Sequence, residues 1–370
     1  MSLDFSELAH EGVRALRPYE PGKPIDELER ELGISNIVKL ASNENPLGPG
    51  KQAIAAVRGD LEELHLYPDG NAFNLKKALS QQLDVAPEQL TIGNGSSDIL
   101  DFVLRAFVTP AHEVMFAEHA FALYPILTRI VNARPVQVKA RDWGHDLDAM
   151  AAAVTDKTRV IFIANPNNPT GTWLTKKELQ AFLDALPKNI LVVLDEAYFE
   201  YVTEPDYADG IELLADFENL LVTRTFSKVY GLAGLRIGYG VSTPALADYL
   251  NRVRPPFNAN HLALVAAEAA LKDRQHLDAS VDMNSRGMQQ LEAAFRVLNL
   301  EYIRSVGNFV SVKMPVNGKG VFDALLRAGV IVRPVDNYGM PDYLRITVGT
   351  EAENNKFIHA LESVLAEQTK

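Results

Sequence analysis

A chain of 370 residues, 47% hydrophobic and 23% charged, has the balance of a soluble globular protein and exceeds the usual size of one core, which argues against disorder and for a large domain joined to a smaller one. The 48 acidic and 36 basic side chains leave a net charge of -12, which repels nucleic-acid phosphates and anionic lipid; no run approaches the roughly 20 apolar residues of a membrane span, and Met-Ser-Leu-Asp-Phe-Ser lacks the order of a secretory signal, so a cytoplasmic location is expected. Without cysteine there are no disulfides, thiolate nucleophiles or sulfur-ligated metals, and the eight histidines form no HExxH-like pair, so no metal is expected.

Residues 1–48, broken by Pro18, Pro21, Gly22, Pro24 and Pro46, read as an N-terminal arm. From 49 to 260, helical patterns over 74–83, 97–107 and 176–186 alternate with short apolar runs over 90–92, 113–117, 160–164, 190–194 and 220–223. Strands buried on both faces and separated by helices predict a mainly parallel sheet covered on both sides, an α/β large domain. The alanine-rich run 262–271 and the segment 283–298 read as two helices, with a hinge near 255–275. Strands at 309–313, 330–332 and 343–348 and a helix from about Glu353 then complete a small α+β domain over 261–370, against which the arm is expected to pack.

Several polar groups sit where these apolar strands end. Thr225-Phe226-Ser227-Lys228 places a lysine just past the strand at 220–223, on the edge where open α/β sheets bind ligands. Such an amine becomes competent for Schiff-base chemistry when its surroundings lower its pKa from about 10.4; alone, a lysine is more often a solvated surface group. Asp195 ends the run 190–194, where a carboxylate needs a partner. It either caps the next helical turn or pairs with a cation such as the protonated pyridine nitrogen of pyridoxal phosphate. Glu196 points to the opposite face and reads as structural. Asn165-Pro166-Asn167-Asn168-Pro169-Thr170-Gly171 is either an ordinary turn or a loop presenting Asn168, with Tyr198, as donors to a phenolate oxygen. Gly93-Asn94-Gly95-Ser96-Ser97-Asp98 is a plain strand-to-helix turn or a phosphate site on free helix amides, and Arg236, beyond Gly231 and Gly234, could clamp the same phosphate. A GxGxxG after the first strand is missing, which disfavours a nicotinamide dehydrogenase.

In order and spacing, Asn168, Asp195 with Tyr198, Ser227-Lys228 and Arg236 resemble the fold-type I aminotransferases of the aspartate aminotransferase superfamily. Further blocks are similar to the histidinol-phosphate aminotransferase family: Arg17-Pro18-Tyr19-Glu20-Pro21-Gly22-Lys23-Pro24, Ser42-Asn43-Glu44-Asn45-Pro46-Leu47-Gly48-Pro49, Tyr67-Pro68-Asp69-Gly70, Phe257-Asn258-Ala259-Asn260 and Gly307-Asn308-Phe309-Val310. The likeness runs from about residue 17 to about 350. It implies a large domain with a mainly parallel seven-stranded sheet covered by helices, plus the small α+β domain. It also implies pyridoxal 5'-phosphate held as an imine on Lys228, with Asp195 on the pyridine nitrogen and Asn168 and Tyr198 at the phenolate oxygen. Ser96, Ser97, Ser227 and Arg236 would hold the phosphate, joined by Tyr67 from the other subunit of a homodimer. Phe121, in His119-Ala120-Phe121-Ala122-Leu123-Tyr124, takes the place of the ring stacked on the cofactor, although alone it reads as a core phenylalanine.

Arg345, within Tyr343-Leu344-Arg345-Ile346-Thr347, resembles the arginine that takes an α-carboxylate, while Arg333 and Tyr19 match positions that meet a substrate phosphate. Without the resemblance these would be surface charges and turn residues. Asn43 and Glu44 are expected at the entrance, Asn43 as a substrate-binding residue. The implied activity is ping-pong amino transfer between L-histidinol phosphate/imidazole-acetol phosphate and L-glutamate/2-oxoglutarate in histidine biosynthesis. A broad aromatic aminotransferase and a threonine-phosphate decarboxylase share the constellation. A non-enzymatic reading is a cofactor-sensing binding module, which in its usual form carries a DNA-binding domain for which this chain has no room.

Overall fold

A computed structural model describes residues 4–18, 22–315 and 317–368. Seven strands form the principal sheet: β1 (Leu90–Gly93), β2 (Glu113–Ala117), β3 (Arg134–Val138), β4 (Thr158–Ala164), β5 (Leu191–Asp195), β6 (Leu220–Thr225) and β7 (Gly238–Val241). Their spatial order is β1-β7-β6-β5-β4-β2-β3; β7 runs antiparallel to both neighbours and every other adjacent pair is parallel. The central runs are apolar throughout because both faces are covered. Met115, Ile161, Ile163, Val192, Leu194 and Val222 join a core with the helices Phe73–Leu83 and Lys176–Ala185. The alternate residues Val114, Phe116, Val160, Phe162, Val193 and Leu221 face a second core built on helix Ser96–Phe107. These three helices lie within a residue of their expected bounds, and Thr175 with Glu178 closes a capping box at the start of one of them.

Two strands of this sheet were not foreseen. β3 is an edge strand, partly exposed, whose Arg134, Pro135 and Gln137 hide its alternation. β7 reads as a turn because of Gly238 and Gly240, yet glycine is demanded there: a Cβ on Gly240 would lie 2.9 Å from Ile99 Cγ2, so its absence lets helix Ser96–Phe107 settle on the sheet.

A four-stranded antiparallel sheet forms a second body, ordered Arg333–Pro334, Tyr343–Thr347, Phe309–Lys313, Tyr302–Ile303. Val310, Val312, Leu344 and Ile346 pack there with Leu291 and Phe295 of helix Arg274–Val297 and Phe357 and Leu361 of helix Glu351–Gln368. The first of these helices starts well before the expected residue 283, since Asp273 caps it at the His276 amide (3.3 Å) and its opening turns are polar. The arm carries more structure than its prolines suggest. Helix Ile25–Leu32 ends at Gly33 in the left-handed region, and Val38–Lys39 pairs in parallel with Val330–Ile331. The strand expected at 330–332 is thereby split, its first part serving the arm and Arg333–Pro334 serving the sheet.

Glu196 is fully buried on the sheet face opposite Asp195, where it accepts from Arg224 Nε (2.9 Å), Arg224 Nη2 (2.7 Å) and the Gly210 amide (2.8 Å). Arg224 also pairs with Asp209 at 2.6 Å and lies 3.5 Å over the Phe199 ring. This network ties β5 to β6 directly behind their functional ends. Arg224→Ala strands a carboxylate in the core and is expected to lower the unfolding free energy by about 3–5 kcal/mol in denaturant titrations. A loss within about 0.5 kcal/mol, the range of an ordinary surface change, would show that the pair does not hold the strands.

Candidate active site

At the carboxyl ends of β1, β4, β5 and β6 lies a cavity of about 930 Å³, its open mouth included. Arg333, Tyr338 and Arg345 of the second body and Gly22, Ala41, Ser42 and Asn43 of the arm close its other side. Ligands of open α/β sheets bind at this edge because the connections leaving parallel strands diverge there.

Lys228 stands just past β6. Its Nζ donates to the Ser42 carbonyl at 3.2 Å and lies 5.5 Å from the centroid of the Tyr198 ring. Burial of the ammonium pushes its pKa down to about 7; Arg345 and Arg236 add to the effect, while Glu44 and Asp195 oppose it. A neutral, nucleophilic amine is thus abundant near neutral pH. The loop is fixed by a bond from the Gly231 amide to the Lys228 carbonyl (3.0 Å). Gly231 has φ +69°, and a Cβ there would lie 2.1 Å from the Gly48 carbonyl oxygen, so the two loops touch only through glycine.

Asp195 faces the same side of the sheet as Val193. Its Oδ2 accepts from the Tyr124 hydroxyl at 2.9 Å and its Oδ1 from the Thr223 hydroxyl at 3.1 Å. Burial raises its carboxyl pKa, and these hydrogen bonds act in the opposite direction. The N-cap reading fails, since the next helical turn, Phe199–Tyr201, is preceded by Tyr198 as its cap residue. Tyr124 was not foreseen as functional. Helix Leu123–Ile130 turns it inward, and its ring stacks on Phe162 at 4.6 Å. The available signal was a tyrosine in an apolar helical run, whose buried hydroxyl must find a partner.

Arg345 points into the cavity and not to solvent: it is buried, donates through Nη1 to Asn168 Oδ1 and through Nη2 to the Ala41 carbonyl at 2.9 Å, and keeps a buried Nε without a partner. Asn43, expected at the entrance, is 1% exposed and lies deep in the site. Its φ of +54° turns it inward, so that Nδ2 donates to the Tyr198 hydroxyl at 2.9 Å and Oδ1 accepts from the Thr347 hydroxyl at 3.1 Å. Glu44 turns away and pairs with Lys39 at 2.8 Å; it is not among the cavity's lining residues. Burial pushes the Tyr198 phenol up to about 12, which keeps it a neutral donor.

The opposite end of the cavity is rich in donors. Ser96 and Ser97 open helix Ser96–Phe107, whose first amides have no carbonyl within the helix. Gly95 has φ +83°, and a Cβ there would lie 2.7 Å from Arg236 Nη2; one on Gly238 would lie 2.3 Å from the Ser96 nitrogen. Arg236, at φ +58°, donates through Nη1 to the Ala233 carbonyl (3.1 Å) and Ser227 Oγ (3.4 Å). Three serines, helix amides and a guanidinium make a cradle for a dianion. Phe121 lines the wall between the two ends, edge-on to Tyr124 at 5.8 Å. Tyr338, not foreseen, lines the second-body side beside Arg333. Tyr67 is 82% exposed, stacks on Phe257 at 4.7 Å and does not line this cavity; Tyr19 falls outside the described residues.

Residues 35–361 match the family described as aminotransferase class I and II. Among similar proteins, the histidinol-phosphate aminotransferase 1 of Nitrosococcus oceani is 58% identical over 98% of each chain. The histidinol-phosphate aminotransferase 2 of Pseudomonas aeruginosa is 56% identical over 98% of this chain and 99% of its own. The crystal structure of histidinol-phosphate aminotransferase from Sinorhizobium meliloti in complex with pyridoxal-5'-phosphate superposes with a TM-score of 0.90 at 29% identity, covering 97% of each chain. With likeness of this extent, the chain belongs to the class I and II aminotransferases.

Proposed function

We propose that the protein is a histidinol-phosphate aminotransferase that uses pyridoxal 5'-phosphate to pass the amino group between L-glutamate and the keto acceptor of L-histidinol phosphate. The observation that carries this reading is the joint placement, in one cavity, of a lysine amine held near neutrality, a buried aspartate and two arginines, Arg333 and Arg345. The residues present fit the cofactor. The Gly95–Ser97 cradle with Ser227 and Arg236 suits a phosphate, and the Phe121 wall offers a ring face. Asp195 is a buried carboxylate held by two neutral hydroxyls, Tyr124 and Thr223, ready for a cationic ring nitrogen.

When bound, pyridoxal phosphate supplies the electron sink that stabilises negative charge at the substrate α-carbon and carries the amino group between substrates. Lys228 would be the residue that holds the cofactor, and its free amine would be the base that takes and returns the proton of the substrate α-carbon. Asp195 would pair with the pyridine nitrogen and favour its protonated form. Asn168 and Tyr198 would serve the phenolate oxygen, with Asn43 bonded to the Tyr198 hydroxyl. Arg345 would take the α-carboxylate with its fork, and Arg333, with Tyr19, would take the substrate phosphate; glutamate and a phosphorylated amino alcohol then share one site.

The assembly we infer is a cytoplasmic homodimer in which Tyr67 enters the other subunit's cavity. Its exposure, and that of Leu61, Leu64, Leu66 and Phe73 around it, supports a surface that a second copy covers. We divide the chain into an arm (1–48), a large cofactor-binding domain (49–260) and a linking helix with a small domain (261–370). Helix His261–Lys272 contributes Ala263, Ala266 and Ala267 to the core of the large sheet before the chain passes into the second body.

The test is to load the protein with pyridoxal phosphate and follow each half-reaction by absorbance. Glutamate should convert the cofactor to its amine form, and 2-oxoglutarate with L-histidinol phosphate should turn over. Reaction with phenylalanine or tyrosine alone would move the assignment to an aromatic aminotransferase. Carbon dioxide release without a keto acid would indicate a decarboxylase.

A further inference from the structure

His119 lies beyond β2, outside the set of residues assigned above to cofactor or substrate, yet it is 8% exposed and bonded in two directions. Its Nδ1 is 2.7 Å from the carbonyl oxygen of Tyr338, and its own carbonyl accepts from Asn167 Nδ2 at 2.8 Å. A backbone carbonyl can only accept, so Nδ1 carries the proton and the tautomer is fixed. The ring is wedged against Trp143, centroids 5.3 Å apart, and Trp143 packs on Tyr343 of the second body at 5.0 Å. Gly339, at φ +74°, carries the turn on from Tyr338 through the left-handed region that glycine favours.

Three stretches of chain that line the cavity therefore meet at one residue, Tyr338 through its imidazole and Asn167 through its main-chain carbonyl. His119 precedes Phe121 on its own segment, Asn167 adjoins Asn168, and Tyr338 belongs to the second body. We propose that His119 is a positioning residue for amino transfer, its Nδ1–H and its carbonyl fixing the cavity turn that carries Tyr338 and the loop that carries Asn168 relative to Phe121. This inference rests on the aminotransferase reading and adds to it a residue that touches neither cofactor nor substrate. Without the Nδ1–H the bond that ties the Tyr338 carbonyl to His119 is lost, and the turn is released to shift. A displacement of about 1 Å at a reacting site costs on the order of 100-fold in rate.

The substitutions separate hydrogen bonding from packing. The amide nitrogen of His119→Asn falls near the position of Nδ1, whereas that of His119→Gln falls near Nε2. Trp143→Phe disturbs the same contact without touching either hydrogen bond. In the cofactor-loaded enzyme, kcat/KM per attached cofactor is expected to fall roughly 10- to 100-fold in His119→Gln for both half-reactions, to stay within about 3-fold of the parent in His119→Asn, and to be unchanged in Trp143→Phe even as its thermal midpoint drops. Equal kinetics in the parent, Gln and Asn proteins overturns the proposal, as does an Asn variant as impaired as Gln. Should the Gln chain not fold, exchange of the Nδ1 proton in the unaltered holoenzyme decides: protection supports the latch and rapid exchange overturns it. The glutamate half-reaction keeps the comparison readable if the parent rejects histidinol phosphate, in which case the substrate assignment falls and the role of His119 does not.

Discussion

Lys228→Ala is expected to abolish amino transfer, lowering turnover by more than about 1,000-fold, because one group acts both as cofactor anchor and as proton carrier and general-base action alone is worth roughly 100- to 10,000-fold. The variant should still bind pyridoxal phosphate through the Gly95–Ser97 cradle and Arg236, but without the visible band of the attached form and without a borohydride-trapped adduct on the peptide holding residue 228. Turnover within about 10-fold of the parent would remove Lys228 from the mechanism. The same substitution has an opposite effect on the cofactor-free fold. The folded amine has a pKa of about 7 against 10.5 for an unperturbed lysine, so between these limits the unfolded chain holds a proton that the folded chain lacks. The destabilisation from burying the ammonium is complete below about pH 7 and fades as pH rises toward 10.5. Cofactor-free Lys228→Ala is therefore expected to unfold at a higher temperature than the parent at pH 6, with the gap narrowing at pH 9 to 10.

What the sequence makes legible is local. The apolar runs of β4, β5 and β6 stand out because both faces are covered, and Asp195 and Lys228 stand out because polar groups follow those runs directly. The strands that escaped, β3 and β7, lack that signature for opposite reasons: one is half in solvent, and the other needs glycine where a helix comes close. Contacts between distant segments left no local trace. Tyr124 reaches Asp195 across 71 positions, and Asn43 reaches Thr347 across 304, so neither pairing is written in spacing. Asn43 was misplaced at the entrance because Asn-Glu-Asn-Pro has the composition of a surface turn, while its positive φ, which turns it inward, belongs to the folded backbone. Arg345 sits in a strand whose alternation would suit either face, and only the packing of the second body against the cavity decides which.

Asp195→Asn tests the other half of the machinery while keeping its shape. The amide can accept from one of Tyr124 and Thr223 and donate to the other, since a hydroxyl serves in either role, so cavity geometry and cofactor affinity should change little. What is lost is the negative charge that holds a proton on the pyridine nitrogen. Charge stabilisation aimed at a reacting centre is typically worth about 100- to 1,000-fold, and kcat is expected to fall by that amount in both half-reactions with KM nearly constant. The cofactor-free protein should report the burial directly. Burial holds the Asp195 carboxyl above the ordinary aspartate value of 3.8, so the folded state binds the proton more tightly than the unfolded chain, and stability declines as pH rises through the folded pKa. Asparagine removes that decline: cofactor-free Asp195→Asn should match or exceed the parent in thermal midpoint at pH 7, and the advantage should vanish as pH falls below the ordinary carboxylate range. A variant that loses stability but keeps kcat within about 3-fold would make Asp195 a structural hydrogen-bond acceptor, and the electron-sink role would then need another carboxylate. Glu196, the nearest alternative in sequence, lies on the wrong face and is already committed to Arg224.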